Sequence, residues 1–205
     1  MLHVMQTAAR PASDGVFRAM FAARKSVFVD LLKWDVPVID GTYEVDQFDD
    51  AHATYLVLAD PDGGHLASAR LLPTTRPHIL DSFYAELCEA GPPRGEGVYE
   101  ITRFCLDRGL NARERRAARN TLVAGLAEHA LRAGITTYTA IAEMPWFQQI
   151  LAFGWLCRPL GLPRVIDGTM LVALRIEIDA KTPTQLAAAG IVPSIDIRAA
   201  ACVAA

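Results

Sequence analysis

The stretch Val98-Tyr99-Glu100-Ile101-Thr102-Arg103-Phe104-Cys105-Leu106-Asp107 decides the fold of this chain. It follows a Pro/Gly-rich break at residues 91–97 and precedes a long helical pattern, which predicts a short buried strand. Glu100 and Arg103 lie inside that strand, and a buried charge without a partner is strongly destabilising. Each charge therefore belongs either to a structural ion pair or to a functional site. Because residues three apart in a regular strand point to opposite faces, one shared site requires a bulged or splayed strand.

Length and composition predict a single domain over residues 1–205. A chain of 205 residues can bury one continuous core, and it needs no second domain. Charged residues make up 21% and the net charge is −3, which argues against nucleic acid as a partner. The amino terminus lacks the basic start and apolar core of a signal peptide, and no apolar run reaches about 18 residues. We therefore expect a cytoplasmic protein that does not enter a membrane.

The cysteines and histidines give no metal-binding pattern. Cys88, Cys105, Cys157 and Cys202 are far apart and form no C-x-x-C pair, so we expect reduced core thiols. The five histidines are equally scattered, and none stands at zinc-ligand spacing from a cysteine. We expect no metal site.

Hydrophobic periodicity and turn signals predict an α/β fold. Predicted strands cover residues 2–7, 54–59, 65–72, 98–107, 135–142 and 169–178. Predicted helices cover residues 16–34, 79–90, 111–133 and 145–153, with a short Ala-rich helix and tail at about 185–205. This order is typical of a central mixed sheet covered by helices, an α-β-α sandwich.

A long acidic loop with embedded aromatic residues separates the first helix from the hairpin. Asp46 and Asp49 lie in this loop, at residues 34–50, and loops of this length are often functional. The two acids could hold a cationic ligand against aromatic faces, or the loop could be exposed and anchored by Tyr43 and Phe48. Arg24 of the preceding helix could lie along apolar surface, or it could clamp a carboxylate.

A basic edge marks the start of the helix at residues 111–133. It consists of Arg113, Arg115, Arg116 and Arg119. Cations at a helix start oppose the usual preference for acids there. The edge is therefore either solvated or a docking site for a phosphate-bearing partner.

The chain resembles the acyl-homoserine-lactone synthases, the quorum-sensing autoinducer synthases of bacteria. The resemblance rests on residues that keep the family's order and spacing over roughly residues 20–110. They are Arg24, Phe28, Trp34, the Asp46-x-x-Asp49 pair, Arg70, Phe83, and Glu100-x-x-Arg103 within Glu-Ile-Thr-Arg-Phe. The family implies a fold similar to that of GCN5-related N-acetyltransferases, with a splayed central sheet.

The resemblance also implies a reaction. The α-amine of S-adenosylmethionine attacks an acyl thioester, and the methionyl carboxylate then closes on its own γ-carbon. The products are an acyl-homoserine lactone, 5′-methylthioadenosine and a free thiol. Both reactants are substrates, so no cofactor is implied. Two competing hypotheses are a general acyl-CoA-dependent N-acyltransferase and a non-catalytic sensor of S-adenosylmethionine or an acyl ligand.

Roles for individual residues follow from the same resemblance. The catalytic residues are Glu100 as the base and Arg103. The S-adenosylmethionine site comprises Arg24, Phe28, Trp34, Asp46, Asp49, Arg70 and Phe83. The acyl pocket comprises Thr102, Ala140, Ala142, Met144, Trp146 and Phe147, in which the bulk of Trp146 favours a short, branched or aromatic acyl group. The donor, acyl carrier protein or acyl-CoA, docks on Arg113, Arg115, Arg116 and Arg119. The oligomeric state is left open.

Overall fold

The computed structural model describes residues 1–6 and 15–193, which form two compact units. The first unit comprises the described residues of Met1–Leu71 and Arg103–Gly125, with Pro193. The second comprises Leu72–Thr102 and Leu126–Val192. The single domain expected from the sequence stays a prediction. The predicted tail beyond residue 193, with Cys202, lies outside the described residues.

The described part of the chain contains both strands and helices, with runs of consecutive strands at β2–β5 and β8–β10. The strands are β1 (Leu2–Gln6), β2 (Val38–Ile39), β3 (Tyr43–Glu44), β4 (Thr54–Ala59), β5 (His65–Pro73), β6 (Val98–Leu106), β7 (Thr137–Glu143), β8 (Leu156–Pro159), β9 (Arg164–Ile166) and β10 (Thr169–Glu177). The α-helices are α1 (Gly15–Arg24), α2 (Ile79–Phe83), α3 (Ala112–Ala133), α4 (Met144–Leu151) and α5 (Thr182–Ala188). A π-helical segment, Lys25–Leu31, continues α1, and a 3₁₀ turn, Ala85–Leu87, follows α2.

The first unit is built on the antiparallel strands β1, β4 and β5, in that order. Every residue of β4 is buried, because its neighbours pair along both edges and helix α1 packs on it. Phe17 and Phe21 of α1 meet the ring of Tyr55 edge to face, with centroids 5.4 and 6.0 Å away. The predicted hairpin formed by β4 and β5 is confirmed.

The second unit contains a mixed sheet with helical segments on both faces. β6 runs parallel to β7, whereas β10 is antiparallel to β7, β8 and β9. On one face Leu80 and Leu87 cluster with Ala173 of β10. On the other face the hydroxyl of Tyr138 donates to the carbonyl of Leu126 in α3, at 3.0 Å. The predicted α/β class with a mixed central sheet is confirmed.

Four elements differ from the sequence-based expectation, apart from the short strands β2 and β3 inside the predicted loop. The helix predicted at residues 16–34 is α-helical only to Arg24, and then Leu32 N–H bonds the carbonyl of Val27, five residues back, at 2.9 Å. The helix predicted at residues 79–90 ends at Phe83, because Tyr84 leaves helical geometry with φ −137°. Strands β8 and β9 were not predicted, because strands so short and exposed show no clear alternation of apolar and polar residues.

Helix α3 has a capping box at its start. Asn111 Oδ1 accepts from the backbone N–H groups of Arg113 and Glu114, both at 3.0 Å, and Glu114 Oε2 accepts from Asn111 N–H at 3.0 Å. These bonds fix the turn from which the predicted basic edge projects. Across residues 1–6 and 15–193, no helix combines the length and the apolar character needed to cross a membrane.

Strand β6 carries a backbone distortion at Arg103, whose φ is +49°. A non-glycine residue in this left-handed region costs on the order of 1–3 kcal/mol. The pairing of β6 with β7 covers Val98 to Ile101 and stops before Arg103. The regular alternation of side chains is thus interrupted at Arg103.

Gly154, after α4, lies close to the carboxyl-terminal end of α5, and a substitution can test this contact. Its φ is +95°, and an added Cβ would lie 2.6 Å from the carbonyl oxygen of Gln185 and 2.8 Å from Ala189 Cβ. We expect Gly154→Ala to lower the free energy of unfolding by about 2–4 kcal/mol, through backbone strain and this overlap. Gly168→Ala is the matched control, because Gly168 has φ +78° and open space around it. Urea denaturation of both variants measures the difference, and equal losses would contradict the close approach at Gly154.

Candidate functional site

The first unit contains a closed ring of alternating charges, which we call the ionic ring. Its members, in order of contact, are Arg24, Glu44, Arg103, Asp46, Arg70 and Asp49, and Asp49 returns to Arg24. Each carboxylate touches two guanidinium groups and each guanidinium touches two carboxylates. No side chain in the ring is more than 9% exposed. The formal charges cancel, which is how six buried charges become compatible with folding.

Arg24, at the end of α1, binds two of the acids. Its Nε donates to Glu44 Oε2 at 2.6 Å, and its two terminal nitrogens donate to the two oxygens of Asp49 at 2.7 and 2.8 Å. Burial alone would lower the pKa of Arg24, but the charges of Asp49 and Glu44 outweigh burial and raise that pKa. Of the two alternatives that the sequence left open for Arg24, the structure therefore shows the carboxylate clamp.

Asp49 has every lone pair occupied. Its oxygens accept from Arg24, from Arg70 at 2.8 Å, from Tyr55 Oη at 2.7 Å and from the N–H of Asp46 at 2.8 Å. Burial would raise the pKa of this carboxyl, but Arg24 and Arg70 hold it well below its usual range. Burial and the neighbouring Asp49 raise the pKa of Tyr55. Asp49 is thus a fixed anion that organises the ring.

Asp46 and Arg103 form the more open side of the ring. Arg70 binds both oxygens of Asp46, at 2.6 and 2.9 Å. Arg103 reaches Asp46 Oδ2 at 2.7 Å and Glu44 Oε1 at 2.9 Å. The exposed fractions are 6% for Asp46 and 9% for Arg103, against 1% or less for the other four members. A ligand can therefore reach the ring most directly at these two residues.

Two aromatic rings cover this open side. Phe28 and Trp34 stack with centroids 4.7 Å apart, and the guanidinium carbon of Arg103 lies 5.5 and 5.6 Å from their ring centroids. Trp34 is 41% exposed, whereas Phe28 is buried. The combination of an exposed indole face, a guanidinium and carboxylates suits a ligand that has a flat ring and groups of both charges.

Glu100 lies in the second unit, where two peptide groups bind it. Its carboxylate accepts from the N–H of Ile79 at 2.8 Å and from the N–H of Leu80 at 3.0 Å, at the start of α2. The residue is only 1% exposed. Hydrogen bonds from peptide groups stabilise the ionised carboxylate, which is the form that a general base needs. The charges of Glu100 and Arg103 therefore have compensating partners of their own.

The strand register sorts the predicted acyl-pocket residues between two sheet faces. Glu100 pairs with Thr139 of β7 and Ile101 pairs with Ala140, so Thr139 shares the face of Glu100. Ala140 and Ala142 point to the opposite face. Thr102, 8% exposed, follows Glu100 by two residues.

The remaining members of the acyl-pocket set lie on α4. Met144 opens this helix, Phe147 is buried, and the ring of Trp146 meets that of Phe153 edge to face at 5.9 Å. Phe83, predicted with the S-adenosylmethionine set, ends α2 with 56% of its surface exposed.

The predicted basic edge is present on the first turns of α3. Arg113, Arg115 and Arg116 are exposed, while Arg119 donates to Asn120 Oδ1 at 2.8 and 3.1 Å. Partial burial, together with the charge of Arg116, lowers the pKa of Arg119. Arg115 also donates to the carbonyl of Asp107 at 3.2 Å, which holds its side chain along the helix start.

Sequence reasoning missed Glu44 and Tyr55 as members of this arrangement. Glu44 could have been found from the charge balance, because three arginines and two predicted acids leave one buried cation without a partner, whereas the neutral Tyr55 gives no such signal. Among the described residues, no group of three or more His, Cys, Asp or Glu is placed to hold a metal ion. Cys105 is buried, and burial raises the pKa of its thiol to about 12, so this thiol is unreactive at neutral pH.

Comparison with known proteins places this site in a family context. The sequence pattern of a family described as autoinducer synthase matches residues 10–186. An acyl-homoserine-lactone synthase of Ralstonia nicotianae is 33% identical over 184 residues, which are 86% of this chain and 89% of the relative. An acyl-homoserine-lactone synthase of Agrobacterium fabrum is 33% identical over 190 residues, which are 89% of each chain.

Solved structures agree with this family match. The chain resembles the CoA-dependent acyl-homoserine lactone synthase BjaI, solved with SAM and isopentyl-CoA, with a TM-score of 0.83 and 28% identity; the match covers 98% of this chain and 93% of BjaI. An acyl-CoA N-acyltransferase of Pseudomonas aeruginosa shares the fold alone, with a TM-score of 0.56 and 19% identity over 85% of this chain and 98% of that protein. The predicted likeness to N-acetyltransferase folds is confirmed.

The ionic ring makes a stability prediction at Glu44. Glu44→Gln removes the buried anion that Arg24 and Arg103 share. Because their positive charges are then only partly compensated, we expect the free energy of unfolding to fall by about 3–5 kcal/mol. Asp30→Asn is the control, because Asp30 pairs with Lys25 at an exposed position and should lose less than about 1 kcal/mol. Urea titration of both variants measures the losses. Losses of similar size would show that the ring does not stabilise the fold.

Acid should weaken the same ring. The pKa of Asp49 is lower in the folded state than in the unfolded chain, so below about pH 4 the unfolded chain binds more protons. The contribution of Asp49 is fully present above the ordinary carboxyl pKa and is lost as the pH falls below it. We expect Asp49→Asn to be less stable at pH 7 and to show a shallower decline in unfolding free energy below pH 4. Asp62→Asn, in an exposed turn, is the control that should keep the full decline.

Proposed function

The chain belongs to the autoinducer synthase family, and on that premise we propose that it is an acyl-homoserine-lactone synthase. It joins S-adenosylmethionine to an acyl thioester and releases the lactone, 5′-methylthioadenosine and a thiol. The observation that carries the proposal is the ionic ring with its aromatic cover, because it lies within the matched region and suits this sulfonium substrate. S-adenosylmethionine combines a flat purine, an ammonium, a sulfonium and a carboxylate, which are the groups that such a surface recognises.

We propose that the ring has a ligand-facing side and a supporting side. Trp34, Phe28 and the exposed edge of Arg103 meet the substrate, and Asp46 takes part from the same side. Arg24, Arg70 and Asp49 support those groups, since almost all their hydrogen-bonding capacity is used within the ring. Phe83 stays a proposed S-adenosylmethionine residue, with 56% of its surface exposed. The buried members then act through orientation and net charge rather than through direct contact.

Glu100 is the proposed general base. The substrate ammonium cannot attack a thioester until it loses a proton, and an ionised carboxylate can accept one directly or through a water molecule. Its two peptide hydrogen bonds fix the carboxylate without neutralising its charge. Arg103 is the proposed second catalytic residue, because it lies three residues away on β6 and its guanidinium can bind a substrate anion.

The acyl donor is a thioester of acyl carrier protein or of CoA. The basic edge, Arg113, Arg115, Arg116 and Arg119, is the proposed docking surface for the donor's phosphates. The similarity to BjaI, solved with isopentyl-CoA, favours a CoA donor and a short branched acyl group. Thr102, Ala140, Ala142, Met144, Trp146 and Phe147 stay the proposed acyl-pocket residues, although Ala140 and Ala142 lie on the sheet face opposite Glu100. Thioesters of acyl carrier protein and of CoA are intracellular donors, so we propose that the reaction takes place in the cytoplasm.

The test is mass spectrometry of the purified protein with S-adenosylmethionine and a panel of acyl-CoA and acyl-carrier-protein thioesters. We expect lactone and 5′-methylthioadenosine in equal amounts, from one preferred donor. An acylated amine product formed without S-adenosylmethionine would favour a general N-acyltransferase. Binding of S-adenosylmethionine without release of 5′-methylthioadenosine would favour a sensor.

Glu100→Gln tests the assignment of the base. Glutamine keeps an acceptor oxygen for a peptide N–H of α2 but cannot take a proton, so we expect kcat to fall by about 10²–10⁴-fold with little loss of substrate binding. Glu86→Gln, on the exposed side of the 3₁₀ turn, should keep wild-type kcat. Unchanged turnover in Glu100→Gln would remove this carboxylate from the mechanism.

A further inference from the structure

Buried polar atoms without a partner concentrate around Glu100. Among the described residues four such side-chain atoms occur, and three of them belong to the second unit: His78 Nε2, Thr139 Oγ1 and Arg175 Nε. His78 directly precedes Ile79 and Leu80, whose N–H groups bind Glu100. Since buried polar groups are nearly always hydrogen-bonded, partners other than protein atoms are expected here, and water is the simplest.

Two of these atoms lie in one row with Glu100 across the sheet. Glu100 of β6 is the register partner of Thr139 in β7, and Thr139 is the register partner of Arg175 in β10. Register partners share a face, so the three side chains project from the same side of the sheet. With strands about 4.8 Å apart, the row spans about 10 Å.

The row leads from a buried carboxylate toward solvent. Glu100 is 1% exposed and Thr139 is fully buried, whereas the side chains of Arg175 and Glu177 are 37% and 26% exposed. Glu177 lies on the same face and accepts from Arg175 at 2.5 Å and from Thr137 Oγ1 at 3.0 Å. A surface carboxylate therefore stands at the outer end of the row.

The proposed reaction needs such a path. When the substrate ammonium becomes an amide nitrogen, it loses two protons: one ends on the sulfur of the leaving thiol, and the other must leave the enzyme in each turnover. Closure of the lactone consumes and releases no further proton, because a carboxylate oxygen displaces a neutral thioether. Glu100 receives the proton in a position that bulk water cannot reach. A base so placed needs a relay to return to its ionised form.

We infer that the hydroxyl of Thr139, with water molecules on either side of it, carries this proton from Glu100 toward Glu177 and solvent. This inference rests on the proposed function. A hydroxyl can accept one proton while donating another, so it suits a relay. Arg175 cannot give up a proton, and its Nε–H instead orients the water at the outer end. Thr139 is thus a positioning residue for proton transfer.

Thr139→Val removes the hydroxyl and keeps the branched shape, while Thr139→Ser keeps the hydroxyl. We expect Thr139→Val to lower kcat about 10-fold, with an increased solvent deuterium isotope effect on kcat, and Thr139→Ser to restore most of kcat. Thr54→Val removes a buried hydroxyl in the first unit and should match the wild type. Stopped-flow recording with a thiol reagent and a pH indicator compares thiol release with proton release. In Thr139→Val the first thiol release should stay within about twofold of wild type while proton release lags.

Several outcomes would overturn the relay. Wild-type kcat in Thr139→Val, or equal losses in the valine and serine variants, would show that the hydroxyl carries no proton. Equal slowing of thiol and proton release would place the hydroxyl in the acyl-transfer step, and a change in KM alone would place it in the acyl pocket. If the wild type itself forms neither thiol nor 5′-methylthioadenosine, the proposed function fails, and the relay then has no proton to carry.

Discussion

The need to neutralise buried charge governs the first unit. Three carboxylates and three guanidinium groups close into the ionic ring, and each member is bound on both sides. The acids come from β3 and the loop after it, a segment with little regular structure of its own. The arginines come from α1, β5 and β6, so the ring ties this loop to the rigid part of the unit. A partly formed ring would leave buried charges unpaired, which makes its assembly effectively all-or-none.

Strand β6 carries both a member of the ionic ring, Arg103, and the proposed base, Glu100. Arg103 completes the ring from a left-handed backbone conformation that is unfavourable by itself. Its two ion pairs hold that conformation, and the change of direction separates it from the regular part of the strand that carries Glu100. Arg103 and Glu100 thus lie three residues apart on one strand and bind different partners.

The sequence predicted the order of the main elements and most of the charged residues, but it left out the features that depend on long-range contacts. Arg24, Asp46, Asp49, Arg70 and Arg103 were identified in advance and do lie together, because buried arginines and acids are rare enough to stand out. Glu44 was overlooked because a two-residue strand buries it, and so short a strand leaves no periodic signal. The π-helical segment after Arg24 was read as α-helix, because the two helix types share nearly the same residue preferences. Likewise, the face on which Ala140 lies follows from the strand register, which no local pattern determines.

The partners that bind each buried carboxylate distinguish the supporting acids of the ring from the proposed catalytic base. Two guanidinium groups bind Asp49 and lower its pKa, so this carboxylate cannot take a proton near neutral pH. Glu100 accepts from two peptide N–H groups, which orient the carboxylate and stabilise its ionised form. The two acids therefore differ in the groups that hold them: guanidinium groups for Asp49, and peptide groups at the start of α2 for Glu100 of β6. In the proposed reaction this difference assigns a supporting role to Asp49 and proton transfer to Glu100.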